Sequence, residues 1–166
     1  KHIINIKSGR VKYDDRRLIL YFFVMYVISF FVIYFFNYVQ NPVEYSDYLF
    51  YSGIFIAVLG ILFGAWAIYN YGEQWSFSIT IFKEQKIKDK GPNAIVRHPF
   101  YLSNFLFLFG YSIALGTLLS TLGAFLALGF MIYMADIEER KYIEELGEAY
   151  REYMKKVKYK IIPFIY

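Results

Sequence analysis

The sequence predicts an all-α, polytopic membrane protein of about four transmembrane helices, followed by an amphipathic helix on the cytosolic side. Three observations carry that prediction. Of 166 residues, 58% are hydrophobic and 23% aromatic, a composition too apolar for a water-soluble chain of this length. Long stretches hold no charged side chain, the longest running from Pro99 to Ala135. The 18 lysines and arginines fall in three blocks, six in residues 1–17, five in 83–97 and seven after Ala135, as the positive-inside rule expects when all three blocks are cytoplasmic.

Each element follows in order. Lys1 to Arg17 is polar and basic and is expected to be an interfacial segment; it carries no signal-peptide pattern ahead of the first span. Leu18 to about Val39 is uncharged, and at about 1.5 Å per residue it is long enough to cross the hydrocarbon core. Asn41, Pro42, Glu44 and Asp47 form an outer loop with acidic but no basic residues. The second span runs from Tyr48 to about Tyr71 and carries Gly53, Gly60 and Gly64. The last two share a helix face, which permits close approach of either another helix or a ligand.

Gly72 to Arg97 is a polar, basic and therefore cytoplasmic connector. Its Trp75–Phe82 stretch, WSFSITIF, alternates enough to be extended, and Gly91-Pro92 marks a turn before the chain re-enters the membrane. Pro99 to Ala135 is only just long enough for two spans with a turn near Gly116 to Thr121. Asp136 to Lys156 then shows apolar or aromatic residues at Ile143, Leu146, Tyr150 and Tyr153, the spacing of an amphipathic helix lying on the inner surface and folding back toward the connector. The tail, KVKYKIIPFIY, is aromatic and basic, which suits the headgroup boundary.

Several chemistries are excluded. Without cysteine there is no disulfide, thiolate ligand or cysteine nucleophile. With His2 and His98 as the two histidines, a multi-histidine metal site is not expected. The net charge of +4 is assigned to membrane orientation and anionic lipid headgroups, and no nucleic-acid partner is expected.

Chemistry is expected where the apolar hairpin begins and ends. Pro99 suits a first helical turn, which puts His98 at a helix N-terminus, where unpaired N–H groups favour an anionic ligand group such as a carboxylate. An interfacial anchor of Arg97 and His98 beside headgroups is the other reading. Glu138 and Glu139 follow the last span, where buried charge is functional or paired; a pairing with Arg97, Arg140 or Lys141 stands open. Adjacent carboxylates lie about 100° apart around a helix, so one of them, taken as Glu138, is expected to face a ligand. If the hairpin closes, His98 and Glu138 meet at one membrane face.

The order Trp75-Ser76, Gly91-Pro92, Arg97-His98-Pro99-x-Tyr101, an apolar hairpin, Glu138-Glu139, Leu146-Gly147-x-x-Tyr150-x-x-Tyr153 and a closing Pro163 resembles the isoprenylcysteine carboxyl methyltransferase and phospholipid methyltransferase superfamily of integral membrane enzymes. The resemblance covers about residues 72–164. It implies S-adenosyl-L-methionine as methyl donor and a membrane-embedded lipid or lipidated small molecule as acceptor. The chain then divides into residues 1–71, an interfacial segment and two spans, and residues 72–166, a cofactor-binding catalytic core, in one membrane domain with both termini and the cofactor site cytoplasmic.

By the same resemblance, His98, Pro99, Phe100, Tyr101 and Glu138 bind the donor, with Lys86, Ile87, Lys88, Asn93 and Thr80 contributing from the connector. Glu138, Glu139, Tyr101 and Arg97 are the expected catalytic group; no general base is assigned, tyrosine and Glu139 being the candidates. Some positions depart from the pattern: Asn93 stands where the family often has Tyr, Ser103 where it has Gly, Leu146 where it has Phe. Met134 stands where carboxyl methyltransferases carry a substrate-associated arginine, which favours a neutral or amine acceptor over a prenylcysteine carboxylate. The Arg-His-Pro-x-Tyr element and the tail VKYKIIPFIY also resemble membrane sterol reductases, which implies an NADPH-dependent ene reductase as the alternative; a non-enzymatic module that binds a lipid or a partner helix is the third reading.

Overall fold

The computed structural model describes residues 11–40, 47–83, 85–115 and 120–165. The loop read at Asn41, Pro42 and Glu44, the basic stretch Lys1 to Arg10 and the turn residues Gly116 to Leu119 lie outside them. Among the described residues the fold is all-α in its bulk, with five helices: α1 (Arg17–Gln40), α2 (Asp47–Tyr71), α3 (Pro99–Ala114), α4 (Thr121–Leu146) and α5 (Glu148–Lys156). Three of them, α1, α2 and α4, are long and apolar enough to cross a membrane. The fourth apolar helix, α3, has 16 residues, a length of about 24 Å. Phe23, Phe31 and Leu62 are more than half exposed along α1 and α2, the surface that a bilayer covers.

Small residues set the contact between α2 and α3. A Cβ added at Gly110 would lie 2.4 Å from the Ala57 nitrogen and 2.5 Å from the Gly53 oxygen, and one at Gly60 would lie 2.8 Å from the Ser103 oxygen. The glycines of the second span therefore serve close helix packing, the first of the two readings above. Gly110→Ala is accordingly expected to lower stability by about 1–3 kcal/mol, read as a loss of thermal stability in detergent; wild-type stability would mean that the two helices part at no cost.

The connector is more ordered than a polar loop. Ile79–Phe82 forms a strand, β2, in the stretch expected to be extended, and it pairs antiparallel with β1, Val11–Asp15. The N-terminal segment was expected to lie at the interface, and its strand has a simple cause. Buried Ile79 and Ile81 flank Thr80 in β2, and such an edge leaves backbone groups that a second strand satisfies.

The acidic segment also differs from expectation. No new helix begins at Asp136, because α4 continues unbroken to Leu146. The break falls at Gly147, whose φ of 60° and ψ of −129° belong to a region that glycine alone occupies readily. After it α5 turns back to the connector, where the Tyr153 hydroxyl donates to the Asn93 carbonyl at 2.8 Å and Lys156 pairs with Asp89 at 2.6 Å. Gly147→Val is expected to cost about 1–3 kcal/mol and to loosen α5, read as faster amide exchange at Tyr150 and Tyr153; unchanged exchange would contradict this account of the bend.

Candidate active site

Four segments converge at the entrance of α3. His98 is the residue before the first helical turn and Pro99 opens that turn. The C-terminal tail runs alongside in extended form: the Arg97 N–H donates to the Tyr159 carbonyl and the His98 N–H to the Lys160 carbonyl, both at 2.9 Å. From α4, two carboxylates one turn below the apolar region reach the same place.

Glu139 is the deeper of the two. Its side chain is 6% exposed and meets an Arg97 guanidinium that is 7% exposed, with Nε donating to Oε1 at 2.6 Å and Nη2 to Oε2 at 3.4 Å. The other side of the guanidinium donates from Nη1 to the Val157 and Lys158 carbonyls at 3.0 and 2.6 Å. Lys160 adds a third contact, 3.5 Å from Glu139 Oε2, and also pairs with Asp136. A buried pair held this way is paired and hydrogen-bonded on every side, which is what makes a buried charge tolerable.

His98 bridges the two carboxylates. Its Nε2 lies 3.1 Å from Glu139 Oε1 and its Nδ1 3.3 Å from Glu138 Oε2. Both ring nitrogens thus face acceptors, an arrangement that only the doubly protonated imidazolium satisfies fully. Burial pulls the imidazole pKa down, but hydrogen bonds from Glu138 and Glu139 and the charges of both carboxylates outweigh it and hold the group above its usual 6.5. The adjacent glutamates do point apart around α4, but they do so by gripping one ring from its two sides.

Because the folded pKa is raised, His98 contributes stability that is present in full below the unfolded value of about 6.5 and disappears as pH rises through the folded value. Thermal stability in detergent is expected to fall over that window, and His98→Gln to flatten the profile. A profile that His98→Gln leaves unchanged would show that the imidazolium does not hold the carboxylates.

Glu138 faces the open side. The Tyr101 hydroxyl donates to its Oε1 at 2.6 Å, and the Tyr101 ring stacks on the His98 ring with centroids 5.4 Å apart and planes 8° from parallel. Beyond them opens a cavity with about 890 Å³ of empty space, open solvent at its mouth included. Glu138, Arg97, His98, Phe100 and Tyr101 line one side, and Thr80, Lys86, Ile87, Lys88 and Asn93 line the connector side. Pro99 and Glu139 stand behind the wall, the first as the start of α3 and the second as the buried anchor of Arg97 and His98. Met134 is fully buried in the apolar cluster around Met131 and Leu108, off the cavity wall.

Phe22, Tyr71, Phe77, Ser78 and Tyr142 also line the cavity and were not singled out from the sequence, whereas Trp75, Ser76, Tyr150 and Tyr153 were named there as part of the motif. Phe22 of α1 packs on Tyr101 at 5.4 Å and Tyr71 of α2 receives a hydrogen bond from Asn93 at 2.7 Å, so segments ahead of residue 72 complete the cavity. Trp75 and Phe77 meet Phe100 edge-on, and Tyr142, Tyr150 and Tyr153 close the side toward α5. Burial pushes the Tyr150 and Tyr153 hydroxyls up from their ordinary pKa, so both stay neutral. Ser76, Ser78 and Thr80 share the wall; their alternate spacing in the sequence was the signal that would have put them on one face.

The model of the isoprenylcysteine carboxyl methyltransferase family matches residues 53–146, more than half of the chain. The chain belongs to this family. It is therefore an integral membrane methyltransferase. Comparison with individual curated proteins gives no match. The family match spans α2 to the end of α4 and contains the His98, Tyr101 and Glu138 triangle. β1, α1, α5 and the tail that binds Arg97 lie outside the matched residues.

Proposed function

We propose that the chain transfers a methyl group from S-adenosyl-L-methionine to a membrane-embedded lipid or lipid-like acceptor, of the prenylcysteine carboxylate or phospholipid amine type. The observation that carries this reading is the meeting of the hairpin's entrance and exit: His98, Tyr101 and Glu138 are mutually bonded at the edge of one cavity. The residues present fit such a donor. Glu138, 16% exposed, offers an acceptor to a positive or hydroxylated part, and the rings of Trp75, Phe77 and Phe100 offer faces for a flat base or a sulfonium. When bound, the donor supplies an electrophilic methyl group carried on sulfur.

The chain's own part is positioning, which can supply much of the rate of such a transfer. Arg97 and Glu139 fix the backbone at the start of α3; His98 fixes the rotamer of Glu138; Tyr101 orients its second oxygen. No protein nucleophile is needed. The basic blocks favour a cytoplasmic side for this site and both termini, with the donor arriving from water and the acceptor entering laterally between spans. Buried, apolar Met134 favours the amine type of acceptor.

The test is transfer of label from methyl-labelled S-adenosyl-L-methionine in proteoliposomes containing either a prenylcysteine or phosphatidylethanolamine. Label is expected in the lipid fraction of at least one, with phosphatidylethanolamine the better acceptor. Label in neither would overturn the proposed acceptor class.

A further inference from the structure

One polar cluster on the cavity wall has no part in holding Glu138. Ser76, Ser78 and Thr80 present their hydroxyls together, and Asp14 of β1 stands behind them. Ser78 Oγ donates to Asp14 Oδ1 at 2.6 Å, and Thr80 Oγ1 reaches the same oxygen at 3.2 Å and Ser76 Oγ at 3.0 Å. Ser76 and Ser78 are 2.9 Å apart. The second oxygen of Asp14 accepts from Arg16 Nε at 2.9 Å. Ser78 and Thr80 are 6% and 3% exposed.

The direction of these bonds decides what the cluster can recognise. A hydroxyl has one proton and two lone pairs. Ser78 gives its proton to Asp14, Thr80 gives its proton to Asp14 or to Ser76, and Ser76 Oγ accepts from the Ser78 N–H at 3.1 Å, which sends its own proton to Ser78 Oγ. Thr80 Oγ1, on the cavity wall, is then left with lone pairs and no proton to offer the cavity. An acceptor backed by a carboxylate suits a hydrogen-bond donor with positive charge.

We infer that Asp14, acting through Ser78 and Thr80, is a positioning residue that fixes the amino-acid ammonium of the bound adenosyl donor. The inference rests on the donor proposed above. Asp14 lies outside the residues that the family model matches, and β1 sets this carboxylate behind the hydroxyls of the cavity wall. β1 is also anchored away from the cluster, where Lys12 pairs with Glu145 of α4 at 2.7 Å, so removing the Asp14 charge leaves a second tether in place.

The experiment is calorimetry on the full detergent-solubilised chain with two ligands: S-adenosylhomocysteine, and 5′-methylthioadenosine, an adenosyl thioether without the amino-acid end. Asp14→Asn is expected to weaken S-adenosylhomocysteine by about tenfold or more and to leave 5′-methylthioadenosine within about twofold. Equal weakening of both, as a purely structural role would give, overturns the inference, and so does weakening of neither. Thr80→Val keeps the side-chain shape and removes the acceptor itself; it is expected to show the same selective loss and decides the matter if Asp14→Asn fails to fold. Failure of the wild-type chain to bind either ligand would instead overturn the donor on which the inference rests.

Discussion

Glu139→Leu is expected to cost about 3–5 kcal/mol of stability, enough to leave little folded protein at 37 °C. The charge itself is not what stabilises, since a buried ion pair recovers little beyond its desolvation. The loss comes from what the substitution leaves behind. The Arg97 guanidinium, 7% exposed, would keep its bonds to the Val157 and Lys158 carbonyls but lose the anion that neutralises it, and His98 would lose one of its two acceptors. The tail bonded to the Arg97 and His98 backbone would loosen with them. Replacing both partners, as in Arg97→Met with Glu139→Leu, removes the orphaned charge and is expected to be milder than either single change. Denaturant unfolding in detergent, followed by near-UV circular dichroism, measures the cycle; a Glu139→Leu protein as stable as wild type would contradict it.

Glu138→Gln is expected to behave differently, folding as wild type but weakening S-adenosylhomocysteine by at least about tenfold, or about 1.4 kcal/mol. Glutamine keeps the size and an oxygen for the Tyr101 hydroxyl. It loses the negative charge beside the cavity and the charged partner of His98 Nδ1. His98→Ala is expected to weaken the ligand to a similar degree, because the imidazole sets where Glu138 points. Trp75 lines the cavity, so its fluorescence provides a titration signal. Unchanged affinity in folded Glu138→Gln would remove this residue from the donor's site.

The two variants separate roles that adjacent positions in a sequence hide. Glu138 and Glu139 are alike in chemistry, and helical geometry says only that they diverge. Which one lies under the hairpin and which one faces open space depends on the tail, through Arg97, Val157 and Lys158, and no periodicity predicts that contact. The apolar spans and the meeting of His98 with Glu138 were legible because charge is sparse in this chain: an uncharged run of that length must double back, and its polar ends then coincide.

Other features were harder to read. The strand β1 sits in a basic segment whose charges suggest an interface, and only the partner β2 gives it a structure. The continuation of α4 past Asp136 was hidden by the change from apolar to amphipathic pattern, which marks where the helix leaves the membrane and not where it starts anew; Gly147 is the residue that carries the break. The short α3 reflects the limited length of the uncharged run, and α4 is longer because it continues beyond that run through charged residues to Leu146.

The proposal depends most on an adenosyl ligand lying between the imidazole and carboxylate that join the hairpin's two ends. Parallel calorimetric titrations of detergent-solubilised wild-type protein with S-adenosylhomocysteine and with NADPH address it directly. Saturable one-to-one binding of S-adenosylhomocysteine, with no heat from NADPH, is the predicted result. Binding of NADPH alone would contradict it.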